Sequence, residues 1–590
     1  MSGSTTWPAG IPTPTDSRVS AALASWASAA DPDNPAGALA AVVARVASQA
    51  RLDLDLTVEG THIEPDAAVL AVSVDEEVIA DAGPWLPGFA REVLLSSSER
   101  RRGGVHHTSP AMARALVGFV AEVRPFAPND VVLDPAVGGG VFLLAVAEAL
   151  DGARADRVQG LRGIDIDPLA VATTEASLRL WAGGAALPAD AIRVGNALDD
   201  ESQEFEASVV IGNPPFLSQL RDGTMRDAEV RASLAQRWPE LRGYVDDAVA
   251  FLLAGVDAVG TGGVVALVQP SSVLSARDAQ PVRQRLLDHA PPVGVWIDGG
   301  RQFSASVDTI ALVLQKGAAQ KSVQRARGVP SEALRPHTPV DGESWGSLLL
   351  VDGPEIPRND SMTLGATLGD VAHVTAGFRD QFYGLRGAVS EQGRNEQGRN
   401  EPKLITSGLI DPLESRWGVA SCRFDKVRWE SPTVDPKSVD PSIRGWVADR
   451  LVPKLLVASQ TKVLEVIIDR DGEMVPCTPV ITVEPADHAP SLAHLAAALT
   501  SPVVSLLLLA DAAGSALSAD AMRVSARALA ALPMPAEGRN WDAAAAAVEA
   551  LDGAPSQAEL LEIGRLGLAA YGLSGRVDIA NWWQSRLRRR

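Results

Sequence analysis

The sequence predicts an α/β fold built on a mostly parallel sheet, with a helical segment ahead of it and an α+β domain behind it. Three observations lead there. Between about residues 105 and 318, short β-branched runs alternate with helical stretches, the pattern of a sheet covered by helices. A glycine cluster directly follows the first of those runs. The 590 residues are 46% apolar and 21% charged, the balance of a globular chain with room for three to four domains of about 150 residues each.

The elements follow in order. Residues 17–52 read as helical, Ala-rich and broken by Asp, Asn and Pro at 31–35. WLPGFAREVLLSS (85–97) reads as another helix, and SERRRGG (98–104) as a basic connector, so residues 1–100 form a mainly helical N-terminal region. The strand-like runs are VVLDP (131–135), GLRGIDID (160–167), ASVVIGNPP (207–215), GGVVALVQP (262–270), VGVWIDG (293–299) and TIALVLQ (309–315). They place the central domain at 101–318. Residues 319–365, rich in Pro, Gly, Ser and Asp, read as a linker or irregular entry. The last domain spans 366–590, with strands expected near 455–459, 463–469 and 478–485 and a helical C-terminus. Within it EQGRNEQGRNE (391–401) repeats a five-residue unit with no apolar side chain and reads as a solvated loop.

Charge and cysteine usage exclude several classes. The net charge of -20 argues against indiscriminate binding to nucleic acid. Residues 1–315 carry 23 Arg, no Lys and 40 acids, whereas 316–462 hold all seven lysines and a net charge of +2. A polyanion is therefore expected on the third quarter of the chain, although an Arg-rich, Lys-poor composition also suits a GC-rich genome. No uncharged apolar run of about 18 residues and no secretory signal are seen, so no membrane partner is expected. Cys422 and Cys477 are too few for a disulfide framework or a Cys/His zinc site, which fits a cytoplasmic protein without a metal.

Three motifs carry the chemistry. In VVLDPAVGGGVFLLAVAEAL (131–150), a strand ends in Asp134, Ala136 follows, and Gly138, Gly139 and Gly140 lead into a helix. Such a turn brings backbone close to a ligand and aims a helix N-terminus at it. A plain tight βα turn is the alternative. No Gly-Lys-Ser/Thr follows, so it is not a phosphate loop, and it is not the GxGxxG of dinucleotide folds. In GIDIDPLAV (163–171), Asp165 at a strand end is placed to hold ribose hydroxyls, and Ile166 to cover a flat ring. In VVIGNPPFLSQL (209–220), two prolines stiffen the turn after a strand. The Asn213 amide oxygen and the Pro214 carbonyl can both accept from an exocyclic amine, Pro215 keeps the loop rigid, and Phe216 offers a stacking surface. A rigid loop with a buried Phe is the alternative here.

In this order and spacing, DPAVGGGVF, GIDIDP and GNPPF resemble the S-adenosylmethionine-dependent amino-DNA methyltransferases. The cofactor loop preceding NPPF resembles the gamma class of adenine-N6 enzymes, of type II restriction-modification character. The resemblance covers about 104–318 and includes GVHHTSP, whose Thr108 the family places near the methionine part of the cofactor. It implies a Rossmann-like methyltransferase domain. More loosely, LGDVAHVTAGFRDQF, KLLVASQ, SLAHLAAALTSPVVSLLLLA and ALAALPMP resemble the family's C-terminal target-recognition domain. The chain departs from the pattern in three places. The family loop Asp-Pro-Ala-Cys-Gly-Ser-Gly is here DPAVGGG. Asn196 stands where an acidic residue is usual, keeping an acceptor but no charge. His107 replaces the usual Tyr.

The resemblance implies site-specific methyl transfer to adenine N6 of double-stranded DNA, with the target base flipped out and held by Asn213 and Pro214 over Phe216. Cofactor contacts are expected from Thr108, Asp134, Ala136, Gly138, Gly140, Asp165, Ile166 and Asn196. His106 and His107 read as structural. A restriction or defence setting is implied, with possible protein partners of that system. No nuclease is expected in residues 1–315, where no lysine completes the acid-acid-Lys nuclease core. Two alternatives remain at this stage: a methyltransferase acting on protein glutamine or RNA, whose Asn-Pro-Pro is usually followed by Tyr, and a partner-dependent or inactive DNA-recognition subunit.

Overall fold

A computed structural model describes residues 16–94, 108–199, 206–216, 228–241, 248–298, 309–319, 322–329, 332–337, 344–350, 353–357, 359–391, 401–512 and 522–587. His106, His107 and most of the 391–401 repeat lie outside these residues. The chain forms two units, Met1–Glu343 and Ser344–Arg590.

The first unit is built on nine strands: β1 (Val132–Asp134), β2 (Leu161–Asp165), β3 (Ile192–Val194), β4 (Ala207–Gly212), β5 (Val259–Pro270), β6 (Pro292–Ile297), β7 (Thr309–Gln315), β8 (Val323–Arg327) and β9 (Glu332–His337). Their order across the sheet is β9-β8-β6-β7-β5-β4-β1-β2-β3. From β3 to β5 all neighbours run parallel. Strand β7 runs antiparallel to both β5 and β6. Runs such as Val264–Val268 and Ile310–Leu314 are buried throughout, as expected of strands covered on both faces. The chain leaves β1 toward β2 on one side and returns through β4 on the other. That reversal opens a crevice at the carboxyl ends of β1 and β4, where open α/β sheets bind ligands.

Helices cover both faces. Helix α1 (Ser17–Ala29) is capped by Asp16, and α2 (Pro35–Ala50) starts with Asn34 as cap and Pro35 in its first turn. Then come α3 (Leu86–Leu94), α4 (Pro110–Val123), α5 (Val141–Ala149), α6 (Pro168–Trp181), α7 (Ala248–Ala258) and α8 (Gln280–His289). Val19, Trp26, Val42, Leu86 and Phe89 share one apolar core with Val132, Val209, Trp296 and Ala326. The N-terminal helices are thus built into the core of the sheet domain.

The structure corrects the reading of 319–365 as a linker. Its first part is the β8–β9 hairpin, with β8 paired parallel to β6 and antiparallel to β9. These edge strands put Val323 and Ala326 inside but carry Arg and Gln between them, and edge strands with many charges look like loops in sequence. Strand β3, only three residues long, was likewise absent from the expected runs.

In the second unit β10 (Ala372–Ala376), β11 (Lys454–Val457), β12 (Val466–Asp469) and β13 (Ile481–Pro485) form an antiparallel sheet in the order β10-β13-β11-β12. It packs with α9 (Leu492–Thr500), α10 (Pro502–Ala512), α11 (Arg539–Glu549), α12 (Gln557–Ala570) and α13 (Val577–Arg586) around Leu455, Val483, Leu499, Leu506, Trp541 and Trp583. A second, smaller core gathers Leu385, Leu404, Phe424, Val434 and Val475. Among the described residues no single helix is long and apolar enough to cross a membrane.

Candidate active site

Three loops meet the carboxyl ends of β1, β2 and β4. Asp134 closes β1 and is buried. Its Oδ1 accepts from the Ala136 backbone N–H at 3.1 Å. Burial pushes its carboxyl up to about 7, the Ala136 N–H opposing the shift and the charge of Asp165 adding to it. The turn then runs through Gly138 at φ 53° and Gly140 at φ 81°, a left-handed backbone that glycine adopts without penalty. Gly140 is the N-cap residue of α5.

The β2 loop locks onto the β1 loop. Asp165 Oδ2 accepts from the Gly138 N–H at 2.9 Å, and Oδ1 from the Asp167 N–H at 3.0 Å. Thr174 Oγ1, on α6, donates to the Gly138 carbonyl at 3.0 Å. Beside Asp165, Ile166 is 74% exposed, an apolar side chain left in solvent at the mouth of the crevice. The β3 end joins through the Gly195 N–H, which donates to the Asp165 carbonyl at 2.8 Å.

Asn196 closes a turn of its own. Its Oδ1 accepts from the Leu198 N–H at 3.2 Å, and its Nδ2 donates to Asp199 Oδ1 at 3.0 Å. The strand end that lacks an acid at position 196 therefore carries the Asp199 carboxylate against it. The sequence reading had missed this residue, although RVGNALDD displays it.

On the other side of the crevice, β4 ends at Gly212 and the chain turns through Asn213-Pro214-Pro215-Phe216, with Pro214 buried and the other three half-buried. Asn213 Nδ2 donates to Thr108 Oγ1 at 3.0 Å, across 105 positions of sequence. Asn213 Oδ1 is buried and has no hydrogen-bond partner. Thr108 is itself buried, one residue ahead of Ser109, whose Oγ caps α4 by accepting from the Met112 N–H. Phe216 packs its half-buried ring against the main core. Gly212, another residue not singled out in the sequence, lies under Asp134: a Cβ there would sit 2.4 Å from Oδ1. Hydrogen bonds thus tie Asp134 to Ala136, Asp165 to Gly138 and Thr108 to Asn213, and Gly212 packs the β4 end against the β1 end.

Comparison with known proteins bears on this arrangement. Residues 89–326 match the sequence model of the family described as N-6 DNA Methylase. No curated protein matches the chain. Among solved structures, the Type IIL restriction-modification enzyme MmeI in complex with DNA superposes with a TM-score of 0.50 at 12% identity, over 92% of this chain and 90% of that one. The type IIG restriction endonuclease BpuSI gives a TM-score of 0.46 at 12% identity, over 97% and 80%. A putative class I S-adenosylmethionine-dependent methyltransferase from Listeria monocytogenes gives 0.36 at 15%, over 52% and 93%. At such identities the likeness to MmeI is one of fold. The family match covers β1 to β8 and the three loops, so residues 89–326 are similar to the N-6 DNA methylase family.

Proposed function

We propose that this chain transfers a methyl group from S-adenosylmethionine to the N6 amine of an adenine turned out of double-stranded DNA. We place it in a restriction-modification or defence system, with residues 344–590 reading the DNA sequence. The observation that carries the reading is the split state of the Asn213 amide: its nitrogen is held by Thr108, and its oxygen is buried without a donor. A buried acceptor left unpaired costs about 1–3 kcal/mol, so the site is built for a donor that arrives with the substrate.

The residues present fit the cofactor. Asp134 and Asp165 offer carboxylates for its cationic and hydroxyl groups, the Gly138–Gly140 turn lets it approach the backbone, and exposed Ile166 gains an apolar cover. When bound, S-adenosylmethionine supplies an electrophilic methyl carbon. The chain's own part is positioning. The N6 lone pair of adenine is delocalised into the ring and is a poor nucleophile. Asn213 Oδ1 and the Pro214 carbonyl accept hydrogen bonds from its two N–H groups and turn the lone pair out of the ring plane, toward the cofactor side where Thr108 sits. Phe216 stacks on the extruded base, returning about 1–3 kcal/mol of the few kcal/mol that extrusion costs.

Asn213→Ala tests this directly. Methylation of DNA should fall by about 10²–10³-fold or more, while S-adenosylmethionine binding stays within about threefold of wild type. Near-normal turnover would sink the mechanism.

A further inference from the structure

Helix α3 touches both loops that form the candidate cofactor site, and the contacts close into a ring. Arg91 of α3 is almost fully buried and pairs through Nη2 with Asp167 Oδ2. Asp167 caps α6, its Oδ1 accepting from the Leu169 N–H at 2.9 Å, and its own N–H donates to Asp165 Oδ1 at 3.0 Å. Asp165 Oδ2 accepts from the Gly138 N–H at 2.9 Å. The next residue, Gly139, lies against Gly88 of α3 so tightly that a Cβ on either glycine would fall 2.7–2.8 Å from the other's backbone. The path Arg91–Asp167–Asp165–Gly138–Gly139–Gly88 therefore begins and ends on α3.

We infer that α3 clamps the two loops against each other and that Arg91 is a positioning residue for the Asp165 carboxylate. The inference rests on the cofactor reading above. Each Asp165 oxygen is fixed by one backbone N–H, which leaves each a lone pair for a ligand hydroxyl. Arg91 sets the direction of Asp167, and Asp167 sets that of Asp165. The pair is poorly suited to stability alone, since Arg91 Nε stays buried without a partner. Outer groups that orient a ligand-binding side chain act this way at metal sites, where their loss costs about 10–100-fold.

The test compares full-length wild type with Arg91→Met, Arg91→Lys and Gly88→Ala. S-adenosylmethionine Kd is measured by calorimetric titration, and methylation kinetics on DNA are measured beside it. Asp167 is 35% exposed, so Arg91→Met strands no buried carboxylate and should fold. Arg91→Met should raise the cofactor Kd and KM about tenfold while kcat at saturating cofactor stays within about twofold. Arg91→Lys should recover most of the loss. Gly88→Ala, which forces the other end of the ring apart without removing a charge, should also raise KM for the cofactor and leave DNA affinity unchanged. Unchanged Kd in folded Arg91→Met and Gly88→Ala overturns the inference while the cofactor reading stands. A parallel fall of kcat, DNA affinity and cofactor affinity also overturns it, because that is the mark of a general structural role. If wild type itself fails to bind S-adenosylmethionine, the reading falls and the inference falls with it.

Discussion

At Asn213 a single amide faces two ways, and the same division of labour recurs across the crevice at Asp134. Burial holds the Asp134 carboxyl near 7, well above its ordinary value of 3.8. A carboxyl raised in the folded state contributes stability that is complete below about 3.8, shrinks as pH climbs, and is gone above about 7. Asp134→Asn mimics the protonated acid and does not titrate. It is therefore expected to stabilise the free protein more at pH 8 than at pH 5, by on the order of 1–3 kcal/mol, read from thermal melting at the two pH values. Equal gains at both would contradict the burial account. Most candidate residues were legible because each motif packs its chemistry into a few consecutive positions: Asp134 to Gly140, Asp165 and Ile166, Asn213 to Phe216. Contacts across long stretches were not. Thr108 came into view in the sequence only through a family resemblance, and its bond to Asn213 and the Arg91–Asp167 pair not at all, since each joins residues far apart in the chain.

Among the elements, the buried parallel strands were the easiest to read, because a strand covered on both faces is a continuous apolar run. The elements that escaped are those where tertiary position overrides composition. Strand β3 has three residues, and in the β8–β9 hairpin Gln324 and Arg325 stand between buried Val323 and Ala326 at the edge of the sheet. The helices at Ser17–Ala29, Pro35–Ala50 and Leu86–Leu94 fall where the sequence predicts helices, but sequence alone left their role open; the shared core makes them part of the sheet domain. Close packing between elements also sets tolerance. Gly212→Ala would place a Cβ 2.4 Å from Asp134 Oδ1 and 3.0 Å from its Cγ, between two buried strand ends that have little room to part. A loss of about 1–3 kcal/mol is expected, together with weaker cofactor binding, from denaturant melts and titration of the variant. A variant within about 0.5 kcal/mol of wild type would show the β1 and β4 ends to be looser than this packing implies.

Across the whole molecule, the charge distribution separates the two halves but does not by itself locate a nucleic-acid surface. Of the seven lysines, Lys454 is buried and paired with Asp469 between β11 and β12, and burial lowers its pKa. Lys316 donates to the Val256 and Val259 carbonyls at 2.9 and 2.7 Å. These two hold the fold and Lys403 pairs with Glu473 at 3.5 Å, while Lys426, Lys437 and Lys462 are exposed among the described residues. The account as a whole stands on modification of adenine in DNA, in one sequence context. Single-molecule sequencing of genomic DNA from cells carrying the wild-type chain, the Asn213→Ala variant or neither tests it most directly. The account predicts N6-methyladenine in one fixed sequence context with wild type, and none with Asn213→Ala or without the chain. A mark of equal strength with the variant, or no mark with a wild-type protein that binds both S-adenosylmethionine and DNA, would contradict it.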